Sequence, residues 1–244
     1  MRVEKDQTLI LWPSLKTYNL EKGEICKNVF NDNDFTVHVE FSVDKKENYT
    51  NEPIAIFWKV PFIFSIGINP HTYQDSDGQT IYSNLFFTNC SFNINDKEDI
   101  TRKGLNFNFE FNKNYEFTVN YSVKDKKIKY YIDYEFIFEI EVGDNIFSQH
   151  ENPQILLGND KFDNEPTYCI DFKYLILSKN NLTDSEIKLI KTDYVNNLNQ
   201  YNEYVNSERY GLLGLYDFKE LTKFKIFDFT GNNNHIYIQT IKNG

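Results

Sequence analysis

Alanine is almost missing from these 244 residues, with Ala55 standing alone. The best helix former is therefore all but absent, while 22 Phe and 17 Tyr supply side chains that favour strands. Cysteine is scarce as well. Cys26, Cys90 and Cys169 are odd in number, lie far apart and form no C-x-x-C pair, so they read as reduced thiols and offer no zinc site. Positive charge is in deficit, at 26 Lys and Arg against 36 Asp and Glu, which leaves a formal net charge of −10 and a pI near 5.0. That balance argues against nucleic acid or an anionic membrane surface as the main partner. Long apolar runs are lacking too. Mean hydropathy is −0.57, and no stretch approaches the roughly 20 apolar residues of a membrane-spanning helix. The opening MRVEKDQTLILWPS offers only Leu9 to Trp12 as an apolar core and no small-residue cleavage site, so a secretory leader is not expected. Enzyme signatures are missing: the chain holds no GxSxG elbow, HExxH helix or phosphate-cradling glycine loop.

What is present is alternation. In FTVHVEFSV, Phe35, Val37, Val39, Phe41 and Val43 fall on one face and Thr36, His38, Glu40 and Ser42 on the other, which is a half-buried strand with His38 on its solvated side. The same period runs through LNFNFEF from Leu105 and YEFTVNYSV from Tyr115, with turn-like clusters between them. IAIFWKV from Ile54 and FIFSIGI from Phe62 are apolar on both faces and read as central strands parted at Pro61. Short strands with polar punctuation predict an all-β sandwich or jelly roll of antiparallel sheets. One segment departs from it. From Leu182 to Glu208 the apolar residues Ile187, Ile190, Tyr194, Leu198, Tyr201 and Val205 recur every three or four positions, which predicts one amphipathic helix. Thr183 and Glu186 are spaced for a capping box at its start. The expected division is a sandwich over 1–182, the helix over 183–209 and a β tail over 210–244.

The order of segments resembles the concanavalin A-like jelly roll, in particular its laminin-G-like and pentraxin-like modules. The pieces that carry the likeness are FTVHVEF from Phe35, YIDYEFI from Tyr131, ILLGND from Ile155, IDFKYLILSKN from Ile170 and LTDSEI from Leu182. One departure stands out: Tyr134 occupies the place where those modules carry a turn glycine, so either the turn differs or the strand runs straight through. The tail, GLYDFKELTKFKIFDFTGNNNHIYI, is similar to the opening of such a module. It reads either as the start of a second module in a longer tandem protein, the reading favoured here, or as closing strands of the first sandwich.

The resemblance implies binding to carbohydrate or to protein surfaces, often with Ca²⁺ at a loop rim, and enzymatic activity in only some relatives. The hydrolases among them carry E-x-D-x-x-E, which sets two carboxylates about 5–5.5 Å apart for retaining chemistry. That motif is absent. The nearest approach is DYEFIFEIE, where Asp133, Glu135, Glu139 and Glu141 would share one face of an unbroken strand opposite Tyr134, Phe136, Phe138 and Ile140. A solvated acidic face is the plainer reading. The most suggestive polar stretch is NPHTYQDSDGQT, read as a loop from Asn69 to Thr80, in which His71, Tyr73 and Asp75 are expected to converge with Trp58 on a sugar. Trp58, set among Ile54, Ile56 and Val60, also reads as core. Asp75 and Asp77 have the i, i+2 spacing of hard oxygen ligands, so Ca²⁺ is a possible but not a required cofactor; the competing reading is an ordinary D-S-D-G turn. Asn159 and Asp160, with Asp163 beyond them, follow ILLG in a stretch that the resemblance puts at the module's rim, as a further sugar contact or a solvated loop. Asp228 in the tail reads as structural, its carboxylate satisfying loop amides. The expected function is a non-catalytic, lectin-like module that attaches a larger protein to a glycan. The alternatives are an adhesive module that binds protein and, third, an unusual glycoside hydrolase built on Glu139 and Glu141.

Overall fold

The computed structural model describes residues 2–3, 7–11, 34–44, 54–60, 64–74, 80–94, 97–141, 154–158, 169–196, 210–219, 225–226, 228–230 and 236–240, with side chains described in 34–43, 109–141, 171–192, 210–219 and 228–230. In chain order the elements are β1 (Arg2–Val3), β2 (Gln7–Leu11), β3 (Phe35–Asp44), β4 (Ile54–Val60), β5 (Phe64–Gln74), β6 (Thr80–Ile94), β7 (Lys97–Asn108) and β8 (Tyr115–Ser122). They continue as β9 (Lys127–Ile132), β10 (Glu135–Glu141), β11 (Gln154–Gly158), β12 (Cys169–Ser178), α1 (Asp184–Asn196), β13 (Leu212–Asp217), β14 (Lys225–Ile226) and β15 (Ile236–Thr240). The strands form two antiparallel sheets. A seven-stranded sheet runs β1-β12-β3-β8-β9-β10 with β13 also on β12, and an eight-stranded sheet runs β14-β15-β2-β11-β4-β5-β6-β7. Among the described residues the architecture is an all-β jelly roll with one helix, as the alternation predicts.

In the seven-stranded sheet one face is the expected apolar row. Phe35, Val37, Val39, Phe41 and Val43 are fully buried, and the first four of them meet Tyr121, Val119, Phe117 and Tyr115 of β8 in register. The opposite face departs from the half-buried reading. Thr36 and His38 are 0 % exposed, because α1 and the segment around Tyr210 lie over that side. His38 is therefore an interior residue and not the surface residue that its place in the polar row suggests. Ile187 and Ile190 of α1 pack on Tyr174 and Ile176 of β12 and on Leu212 and Leu215 of β13. Burying each such isoleucine stabilises by about 1.5–3 kcal/mol.

The start of α1 forms as the spacing predicts. The amide of Thr183 donates to Glu186 Oε2 at 2.9 Å, and the amide of Glu186 donates back to Thr183 Oγ1 at 3.3 Å. Asp184 and Glu186 in the first turn also complement the positive end of the helix. Replacing Thr183 by Ala is expected to cost about 1 kcal/mol, read as a lower urea midpoint at unchanged slope. An unmoved midpoint would mean that the box contributes nothing. The described helix ends at Asn196, and the expected continuation to 209 lies outside the described residues.

The tail returns to both sheets. β13 pairs with β12, with Leu215 opposite Ile176, and β15 pairs with β2, with Ile238 opposite Leu9. Gly211 enters β13 at φ +51, where an added Cβ would lie 2.8 Å from Lys179 Cγ. Asp228 plays the structural part read for it: Oδ1 accepts from the amides of Thr230 at 2.9 Å and Leu215 at 3.3 Å, and from the Thr230 hydroxyl at 2.7 Å.

Candidate functional site

Asp75, Asp77, Asn159, Asp160 and Asp163 lie outside the described residues. His71 and Tyr73 belong to strand β5, which runs on to Gln74, and not to a loop beginning at Asn69. They pair with Ser83 and Ile81 of β6. Trp58 pairs with Ser65 of β5, six residues before His71, a backbone separation of about 20 Å along the strand. The backbone thus brings His71 and Tyr73 together and sets Trp58 well apart from them.

The acidic stretch is not the row that the sequence suggests. Asp133 and Tyr134 form the turn between β9 and β10, both at positive φ, 50° and 67°. Asp133 is held there from both sides: its amide donates to the Glu116 carbonyl at 2.7 Å, and its Oδ1 accepts from the Glu116 amide at 2.9 Å. Left-handed backbone costs a non-glycine residue roughly 1–2 kcal/mol. At Tyr134 the ring contacts offset that cost. It stacks on His38 at 6.0 Å between centroids, and Lys188 Nζ stands 4.0 Å from its centre. Beyond the turn, the register shifts between Phe136 and Phe138. Phe136 consequently stands opposite Tyr131 on the same face as Glu139 and Glu141, not with Phe138 and Ile140. Glu139 is engaged in an ion pair with Lys127, whose Nζ is also 4.0 Å from Glu141. The continuous four-acid face is not formed.

Two constellations emerge on the helix side of the seven-stranded sheet. The first is half-buried. Glu40 and Glu116 are direct partners across β3 and β8, an arrangement of like charges that destabilises a sheet unless a cation answers it. Lys191 of α1 supplies that cation, with Nζ 2.7 Å from Glu40 Oε2 and 3.0 Å from Glu116 Oε2. Beside it, His38 Nδ1 and the Thr118 hydroxyl are 2.9 Å apart, while Nε2 faces Glu116 Oε2 at 3.5 Å. Burial, and secondarily the Lys191 charge, lower the His38 pKa to about 3, so the ring is neutral at ordinary pH. Burial pushes the Tyr134 phenol well above its usual range, and its bond to Glu116 adds to the shift. The cluster lies beneath α1 and binds helix to sheet.

The second constellation is open to solvent. A groove of about 370 Å³ lies between the N-terminal end of α1 and the outward rows of β8 and β9. Its lining includes Asn120, Lys127, Lys129, Tyr131, Asn181 and Asp184. Asn120 is the fixed wall: it accepts from the Thr36 hydroxyl at 2.8 Å and donates to the Leu182 carbonyl at 3.1 Å, tying the 180–183 segment to the sheet. Burial raises the Tyr131 phenol, with the charges of Asp184 and Glu139 adding to it, so the hydroxyl stays a donor. Phe136 packs edge-on against Tyr131 at 5.8 Å and remains 55 % exposed. Sequence reasoning missed this groove. The alternation in KIKYYI, which puts Lys127, Lys129 and Tyr131 on one face, was its local signal, but the approach of residues 181–184 to that face has no local signature.

Among the described residues no group of three His, Cys, Asp or Glu is placed to hold a metal ion. No described helix is long and apolar enough to cross a membrane. Taken together, the two sheets and the helix over one of them have the concanavalin A-like jelly-roll fold. Over 99 % of its length the chain is similar to a candidate carbohydrate-binding protein from Bacteroides ovatus, with a TM-score of 0.59 at 13 % identity, and it spans 60 % of that protein. The binding domain of botulinum neurotoxin serotype C1 is similar over 70 % of the chain, at TM-score 0.47 and 16 % identity, with 38 % of that domain covered. A heptameric pentraxin from Limulus polyphemus gives a TM-score of 0.39 at 12 % identity, covering 73 % of this chain and 78 % of its own. No family model matches the chain, and no curated protein matches it.

Proposed function

We propose that this chain is a carbohydrate-binding module that acts by attachment and not by catalysis. The observation that carries the reading is the likeness in fold, along 99 % of the chain, to a protein described as a candidate carbohydrate-binding protein. The engagement of Glu139 with Lys127, and the removal of Asp133 into a turn, support the non-catalytic part. A retaining glycosidase needs two free carboxyl groups facing one another across a substrate. Ca²⁺ at Asp75 and Asp77 remains part of the proposal as an optional ion.

Thermal unfolding with a saccharide panel, with and without Ca²⁺, tests it. A sugar that binds only the folded state adds about 2.7 kcal/mol of stability at a hundredfold excess over Kd, which raises Tm measurably. The expected result is a rise with at least one saccharide. If no saccharide moves the transition, the reading fails and a module that binds protein takes its place. A Tm rise with Ca²⁺ that is lost in Asp75→Asn would support the ion.

A further inference from the structure

We infer that the groove between α1 and strands β8 and β9 is a binding site for an uncharged sugar of one or two pyranose rings; this rests on the carbohydrate-binding reading and adds a place and a ligand class to it. Its volume of about 370 Å³ stands at the small end of the range for small-molecule sites, about 300–1,000 Å³, which suits a short saccharide. Four polar groups that line it, the Tyr131 hydroxyl, the Lys129 ammonium, the Asn181 amide and the Asp184 carboxylate, make no hydrogen bond or ion pair among the described residues. They can take up a ligand without breaking any internal bond. The set mixes donors with acceptors. A sugar hydroxyl, which does both, can be met by each of them.

Charge narrows the ligand further. The lining carries two lysines, Lys127 and Lys129, and two aspartates, Asp125 and Asp184, with Lys127 also engaged by Glu139, so both signs of charge stand in the groove. An anionic ligand would meet Asp184, and a cationic one Lys129 and Lys127. A neutral polyol meets neither penalty. Beside the groove, Tyr131 and the exposed Phe136 form an aromatic edge against which the apolar C–H face of a pyranose can lie. The wall is fixed in advance, because both ends of the Asn120 amide are bonded, so little ordering accompanies binding.

The test uses glucose, galactose, mannose, N-acetylglucosamine, lactose and cellobiose at millimolar concentration. Affinity from the Tm shift is compared among the parent protein, Tyr131→Ala, Lys129→Met and, as a control on an exposed turn, Lys113→Met. Tyr131→Ala is expected to weaken binding about tenfold or more, while Lys113→Met leaves it unchanged. Amide hydrogen exchange serves as the second measurement, independent of whether a variant folds: the bound sugar should slow exchange in 125–131 and 181–184. Binding that survives in both groove variants, or protection confined to residues outside those two segments, overturns the groove while leaving the carbohydrate reading intact. If none of these sugars binds, the reading and the groove fall together.

Discussion

Unfolding in urea should show the protein losing about 3 kcal/mol between neutral pH and pH 4 on account of His38 alone. The unfolded imidazole takes up a proton near pH 6.5, whereas the buried ring resists until about pH 3. Across that window the unfolded state binds one more proton than the native state, so stability is fully present above about pH 6.5 and falls as pH drops below it. At pH 4 the gap is about 2.5 units, or about 3 kcal/mol. The neighbours that face the ring leave it little alternative. Thr118 holds Nδ1, Tyr134 covers a face, and the charge of Lys191 disfavours a second cation, although Glu116 stands 3.5 Å from Nε2. The variant His38→Gln removes the titration whatever it does to absolute stability. Its pH slope between about 4 and 6.5 should be shallower than the parent's by close to one proton. Equal slopes in the two proteins would mean that the ring is protonated, or exposed, in the native state.

Lys191→Met should be the second costly change, at about 2 kcal/mol. It would leave Glu40 and Glu116 opposite one another across two strands with no cation between them. Breaking a fully buried ion pair by removing one partner costs about 3–5 kcal/mol. Here the three side chains are 19 %, 17 % and 26 % exposed, so water takes over part of the solvation and the cost is reduced. The mechanism has its own check, because the triple variant Lys191→Met, Glu40→Gln, Glu116→Gln removes the uncompensated charges together with their cause. Recovery of more than half of the lost stability is expected. A triple variant as unstable as Lys191→Met would attribute the loss to packing of the lysine stem and not to charge.

Much of the fold was legible. Strict alternation from Phe35 to Val43 and from Tyr115 to Val123 announces two strands, and both form with the predicted apolar face inward, except that the second ends at Ser122 and leaves Val123 exposed. Thr183 and Glu186 announced the helix start because a capping box is a local device, complete within four residues. What covers the other face of a strand is not local. Nothing within FTVHVEF says that the Thr36 hydroxyl will accept from the Leu182 amide, 146 positions on, and so the polar row reads locally as a solvated one. The turn at Asp133 and Tyr134 was legible only as a question. An aromatic residue at positive φ is unfavourable by itself, and what makes it acceptable, His38 beneath and Lys188 beside, comes from distant segments. The candidate groove belongs with these long-range features, since its two walls are contributed by residues 120–131 and 181–184.

Strand β3 has a further consequence for how the protein comes off the ribosome. One of its edges is met by β8, about 80 residues later, but the other waits for β12, whose register runs from Cys169 opposite Asp44 to Ser178 opposite Thr36. Until synthesis has passed residue 178, Phe35 to Asp44 offers the nascent chain an open edge, flanked by aromatic and β-branched side chains. Pairings this distant in sequence form slowly, and an unfilled edge is where stray strands add. Growth of this polypeptide should therefore depend on holdase protection more than that of a helical protein of equal length, and pausing translation shortly before Cys169 should increase aggregation.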